Sequence, residues 1–165
     1  MTHPEKLCMK KSSAPARRTS SRGYTLIELL VTIAIVAILA SIANEVYTSQ
    51  IQKSRRTDAR SALLDLAGRE EKLFSTMNAY SNLPSDLGYG AGAWPIVVGS
   101  GYYQVTVISP DTVTQGGAAG TYYIKADPVP GGLQAGDTTC TELSVNSLGA
   151  QGSTGTGTTA TCWGN

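Results

Sequence analysis

Residues 24–43 run for 20 positions without a glycine or a proline, and with a single charge. At 1.5 Å of rise per residue such a segment is ~30 Å long, about one hydrocarbon core. Its apolar residues are not confined to one face, so the pattern predicts a helix greasy all round rather than one side of a soluble bundle. The one charge is Glu28, at the fifth residue of the run. A carboxylate at the centre of a membrane helix costs ~2.5–3.5 kcal/mol on insertion scales, so an acid in such a run calls for a functional explanation.

From residue 44 the pattern changes and the helix is expected to continue. Ala59, Ala62, Leu63, Leu66, Leu73, Phe74 and Met77 recur at helical spacing and form one apolar stripe. Arg56, Arg60, Arg69, Glu71 and Lys72 fall mostly off that stripe, and Asp65 with Arg69 suits an i,i+4 pair. A stripe of this kind needs a sheet to cover it. Residues 78–100 read as a loop punctuated by glycine and proline, with Tyr80, Tyr89 and Trp94 as anchors. Three strands are expected, at 102–108, 121–126 and 139–146, with Tyr103, Val105 and Val107 alternating against Gln104 and Thr106. The connections 109–120 and 127–137 suit antiparallel neighbours. Residues 149–161 are nearly all Gly, Thr, Ser, Ala and Gln, too polar to order themselves by burial. The fold class is therefore α+β: one long N-terminal helix, its second half under a small antiparallel sheet of three or four strands.

Charge and cysteine divide the chain further. Residues 1–23 carry +5 and the remainder −4, which sum to the net +1 of the chain. A positive leader marks its side of the span as cytoplasmic, which puts the chain beyond residue 45 outside the inner membrane. Outside the leader, nothing in the overall charge favours nucleic acid. His3 and Cys8 lie in the leader; Cys140 and Cys162 lie in the last quarter. Removal of the leader leaves an even cysteine pair, as expected of a disulfide in an oxidising compartment. It also leaves no histidine, so no His-based acid–base or triad chemistry. Two cysteines fall short of a zinc site. Neither an enzyme, a cofactor nor a metal is expected.

The segment Arg22-Gly23-Tyr24-Thr25-Leu26-Ile27-Glu28-Leu29-Leu30, together with the apolar run, resembles the class III signal of type IV pilins and pseudopilins. Residues 53–80, with Arg56-Thr57-Asp58-Ala59-Arg60, and the Cys162-Trp163 ending are similar to PilE-type minor pilins. The resemblance implies three parts: a cleaved leader (1–23), a transmembrane and assembly half-helix (24–48) and a periplasmic head (49–165). It implies cleavage between Gly23 and Tyr24 by a membrane prepilin peptidase, and N-methylation of Tyr24. Glu28 would then pair with the Tyr24 amine of a neighbouring subunit, each charge neutralising the other in an apolar setting. The partners implied are major and minor pilin subunits, the peptidase, the inner-membrane assembly machinery, and the membrane itself before assembly. The activities implied are pilus assembly, twitching motility and adhesion, first at the inner membrane and then in an extracellular fibre. Three positions depart from the pattern, the first being Tyr24, which stands where pilins commonly have Phe or Met and keeps an apolar ring there. Glu45 stands where many major pilins carry a helix-kinking proline, and Ala37 stands at the family's mid-span glycine. The last two argue for an unbroken helix.

Two other readings remain. One is a receptor pilin that binds double-stranded DNA, using the basic cluster Lys53, Arg55, Arg56 and Arg60 for phosphate contacts. A solvated helix face, or a contact to an acidic neighbouring subunit, is the simpler account of that cluster, which lies on the helix a fibre would bury. The other is a type II secretion pseudopilin. Major pseudopilins typically hold calcium where this chain has a cysteine pair, which argues against it.

Overall fold

A computed structural model describes residues 23–164. The leader up to Arg22, with His3 and Cys8, lies outside the described residues. Two compact units are present, one ending at Ser41 and the other running Ile42–Asn165. Helix α1, Leu26–Met77, is continuous through 52 residues, as expected with Glu45 and Ala37 at the positions where the family often has proline and glycine. Thr25 caps it: its hydroxyl accepts from the Glu28 amide at 3.3 Å and its carbonyl from the Leu29 amide at 3.2 Å. In the first unit the apolar side chains stand in the open, with Leu26 at 78 % exposure and Ile38 at 63 %. The hydroxyls of Thr32 and Ser41 turn back onto the carbonyls of Leu29 and Ile38, so even the polar residues of the run hide their donors.

In the second unit α1 buries Arg56, Ala59, Leu63, Leu66 and Glu70, a repeat of three and four residues along one side. That side is covered by an antiparallel sheet of five strands in sequence order: β1 Ile96–Val98, β2 Tyr103–Ile108, β3 Tyr123–Pro128, β4 Glu142–Asn146 and β5 Gln151–Thr154. Tyr103, Val105 and Val107 of β2 point inward as their alternation predicts, and join Ile124, Ala126, Leu143 and Val145 in one core. The cross-strand register places Val105 opposite Ala126 and Ala126 opposite Leu143. Tyr80, Tyr89 and Trp94 pack against this core from the loop after α1.

The sequence-based outline is corrected at its edges. β1 lies inside the segment read as pure loop. Three residues between Pro95 and Gly99 are too few to show a period. β3 and β4 begin later than expected because the preceding backbone groups are engaged elsewhere: the Thr121 carbonyl accepts from the Ser109 hydroxyl, and the Thr139 and Cys140 amides donate to Asp137. Residues 149–161, expected to lack order of their own, contain β5 and the start of α2, Thr159–Trp163. Their order comes from backbone rather than from apolar side chains. β5 pairs with β4 from Gln151 to Thr154. Gly155 (φ 119°) and Gly157 lie so close to Thr139 that an added Cβ would come within 2.5 and 2.7 Å of it. The Trp163 indole donates to the Gly152 carbonyl at 2.9 Å, and Cys162 is disulfide-bonded to Cys140. Thr158 and Gly164 cap the short helix at its two ends.

Candidate functional site

The expected cleavage and assembly residues sit together at the head of the described chain. Gly23 and Tyr24 precede α1, both exposed. A Cβ at Gly23 would meet nothing within 4 Å among the described residues, so the chain's own packing does not demand a glycine there. Any need for one lies with whatever handles this bond. Glu28 occupies the first turn of α1, where a negative charge is favoured by the unpaired amides of the helix start. Among the described residues no side chain pairs with its carboxylate. The acid is thus tolerable at a wet helix end, and becomes a demand for a partner wherever water is excluded.

The 18-residue apolar window of α1 has a mean hydropathy of 2.7, and none of it is buried. In water this is a large unpartnered apolar surface, far beyond what a soluble monomer carries. By length and composition it can cross a bilayer, or it can pack against other helices of its kind.

The basic cluster is taken apart by the fold. Arg56 is 2 % exposed and makes a two-pronged pair with Asp137, Nε to Oδ2 and Nη2 to Oδ1, each at 2.7 Å. The reading that placed it off the apolar stripe, free to meet phosphate, is corrected: Arg56 takes the stripe's first position and holds the loop between β3 and β4. Asp137 is fully engaged, since Gln134 Nε2 and the amides of Thr139 and Cys140 also donate to it. Arg60 turns inward as well, with Nε and Nη2 donating to the Cys162 carbonyl at 3.0 and 2.7 Å. Burial and the neighbouring Arg56 lower its pKa from the ordinary arginine value. Arg55 donates to the Leu133 carbonyl at 2.8 Å and lies 4.7 Å over the Tyr102 ring. Lys53 stands exposed, with no acid paired to it among the described residues. Three of the four cations therefore tie α1 to the loops and the C-terminus of the head.

The tyrosines are divided too. Tyr103 is fully buried, and its phenol is pushed up to about 12, mainly by burial. Tyr122 donates to Glu71 Oε1 on α1, as does Tyr80. Tyr123 turns to the other side of the sheet and donates to Glu142 at 2.9 Å. Glu70 went unnoticed in the sequence. It is an acid on the buried stripe, with no exposed surface, and its Oε2 accepts from the Ser81 amide at 3.1 Å. The only hint was its spacing, four residues after Leu66.

Comparison with known proteins matches the two parts of the chain separately. Residues 18–44 match the prokaryotic N-terminal methylation motif. Residues 46–144 match the family described as "Type IV minor pilin ComP, DNA uptake sequence receptor". The chain is 33 % identical over 69 residues to the type IV major pilin protein PilA of Myxococcus xanthus (strain DK1622), covering 42 % of this chain and 31 % of that protein. It is also 33 % identical over 111 residues to fimbrial protein Q of Moraxella bovis, covering 53 % of this chain and 69 % of that protein. An exposed apolar helix led by one acid, joined to a head of helix and meander sheet, fits both family matches, and the chain belongs to the type IV minor pilin family.

Proposed function

We propose that this chain is a minor subunit of a type IV pilus fibre, inserted first in the inner membrane with its head in the periplasm. A prepilin peptidase cuts between Gly23 and Tyr24, and the new Tyr24 amine is methylated. The assembly machinery then moves the subunit from lipid into the fibre through the apolar half of α1. Such an assembly is head-to-tail and does not close. One observation carries the reading: an apolar helical run, exposed throughout, whose single carboxylate has no partner among the described residues. Pairing Glu28 with the terminal amine of a neighbour supplies that partner and fixes register, because any other register leaves a charge stranded in an apolar wall. The experiment is Glu28→Ala in the native host. Cleavage is expected to proceed, and the variant to be missing from sheared fibres. Normal incorporation would refute the pairing.

A second reading rests on the family match over residues 46–144, whose description names a DNA uptake sequence receptor. This chain would then bind duplex DNA from the fibre surface. Lys53 and Lys72 are the exposed lysines of α1 that no acid of the described residues pairs with, and they are the natural phosphate contacts. Arg56 is buried in its pair with Asp137 and Arg60 is turned onto the Cys162 carbonyl, so this reading places neither at the centre of the contact. A mobility shift over a salt series tests it: binding that weakens steeply with salt supports the reading, and its absence at low salt removes it.

A further inference from the structure

Residues 78–88 come after α1 as a strap with turns but no strand or helix. Few polar bonds seat it, and one of them, from the Trp94 indole to the Asn82 carbonyl at 2.7 Å, does not involve α1. The Ser81 amide donates to Glu70 Oε2 at 3.1 Å, Tyr80 donates to Glu71 Oε1 at 3.1 Å, and Arg69 Nη1 reaches the Leu87 carbonyl at 3.0 Å. Pro84 and Leu87 are its buried apolar anchors, and Tyr80 stacks on Phe74 at 4.6 Å.

Glu70 is the unusual member of this contact. Its side chain is wholly buried, Oε1 has no hydrogen-bond partner, and Oε2 has the one amide. The charges that face it are of its own sign: Glu71 from α1 and Asp86 from the strap. The nearby hydroxyls of Tyr80, from the strap, and Tyr122, from the sheet side, are both given to Glu71. Arg69, one residue before it on α1, is committed to Asp65 and to Leu87. A carboxylate so placed has one donor, two repelling neighbours and no surface open to solvent.

We propose that residues 78–88 are a proton-operated strap, seated on α1 while Glu70 carries its proton and released at Ser81 when Glu70 ionises. The neutral acid asks little of its surroundings. The anion needs several donors, and the helix cannot provide them, because Glu70 sits on the buried stripe beyond Leu66. Water reaches Oε1 only if the strap lifts. Burial, reinforced by Glu71 and Asp86 and opposed by the Ser81 amide, raises the Glu70 pKa to about 7. The seated state holds a proton that the released state gives up, so the preference for seating is complete below the ordinary glutamate range and is lost as pH rises to about 7. The strap also supplies Asp86, Leu87 and Gly88 to the wall of a cleft that contains Arg69 and Lys72. Release therefore changes access to those two cations.

Hydrogen exchange of the full chain in detergent micelles tests this, with rates corrected for the intrinsic effect of pH. Wild type and Glu70→Gln are compared at about pH 5.5 and about pH 8.5. Protection of residues 80–89 is expected to match at the lower pH. At the higher pH it should be about tenfold or more lower in wild type than in Glu70→Gln, with β2–β4 unchanged. Equal protection of the wild-type strap at both pH values, or the same loss in Glu70→Gln, overturns the proposal. Carboxyl carbon NMR of wild-type Glu70 gives a readout that does not depend on the variant folding. A midpoint near 7 supports the strap, and one in the ordinary glutamate range, ~4.3, overturns it.

Discussion

Replacing Arg56 with methionine keeps most of the stem's volume and deletes the guanidinium. Asp137 then remains in a site with no exposed side-chain surface, deprived of two 2.7 Å bonds and of the one cation that pairs with it among the described residues. It keeps three donors, from Gln134, Thr139 and Cys140. Removing one partner of a buried pair typically costs 3–5 kcal/mol, and the three surviving donors put this case at the lower end, ~3 kcal/mol. With ~2.1 cal/mol/K of unfolding entropy per residue over residues 42–164, that is a fall in melting temperature of ~12 °C. Burial pushes the Asp137 carboxyl up, but Arg56 and the amides of Cys140 and Thr139 outweigh it and hold its pKa below the usual value. The stabilisation is therefore present above the unfolded value of ~3.9 and is lost as pH falls through the folded one. The assay is denaturant unfolding of the full chain in micelles, followed by the fluorescence of Trp94 and Trp163, for Arg56→Met, Asp137→Asn and the double variant. The double variant should cost less than the two singles together, because the stranded partner has been removed as well. Additive losses, or a loss under ~1 kcal/mol for Arg56→Met, would refute the reasoning.

Other outcomes rest on the same geometry. Cys140→Ser with Cys162→Ser opens a loop of sequence separation 22 and should cost ~3 kcal/mol in the chain-entropy model, read as a shift in denaturant midpoint. The loss should fall mainly on β5 and α2, seen as early exchange of their amides. Gly155→Ala puts a methyl 2.5 Å from the Thr139 carbonyl at a φ of 119°, and should cost more than ~1 kcal/mol; Gly136→Ala, with nothing within 4 Å, should cost little, both read from thermal melts. Gly23→Phe should leave the melting of the head unchanged while blocking maturation, seen as an unshifted precursor band.

What could be read from residues alone was what has a period. The apolar run, the stripe from Ala59 to Leu66 and the alternation of Tyr103, Val105 and Val107 each repeat often enough to declare an element. Elements held by backbone contacts do not announce themselves this way. β1 is three residues long, and β5 is Gln-Gly-Ser-Thr, a sequence with no apolar side to display. Its order depends on β4 alongside it, a disulfide and one indole, all of them facts of the fold rather than of the local sequence. The basic cluster misled for a related reason. Charge is legible in sequence, but its pairing is not. Arg56 meets Asp137 across 81 positions and Arg60 meets the Cys162 carbonyl across 102, so only the fold reveals that these cations already have partners inside the head.

Three charges on α1 show how internal pairing separates structure from assembly. Arg56 is buried and its charge is paired within the chain, so it stabilises the head and is closed to contacts outside it, although Nη1 has no hydrogen-bond partner. Glu70 is buried and unanswered; its environment favours the neutral acid, and the charge can return only if the strap gives way. Glu28 is exposed and unanswered, and it stands at the start of a surface that must leave water to be of any use. Among the described residues no side chain pairs with its carboxylate. A charge in that position is compatible with a lone molecule only while it stays at the wet edge of a bilayer. Once the helix packs among other helices, the missing partner has to come from one of them. Glu28→Gln separates this from a simple helix-capping role. The amide keeps a polar side chain in the first turn but removes the charge, so the helix should form as before. A variant that inserts, is cleaved and still enters fibres at the wild-type level would show that hydrogen bonding alone suffices, and the electrostatic account of register would fail.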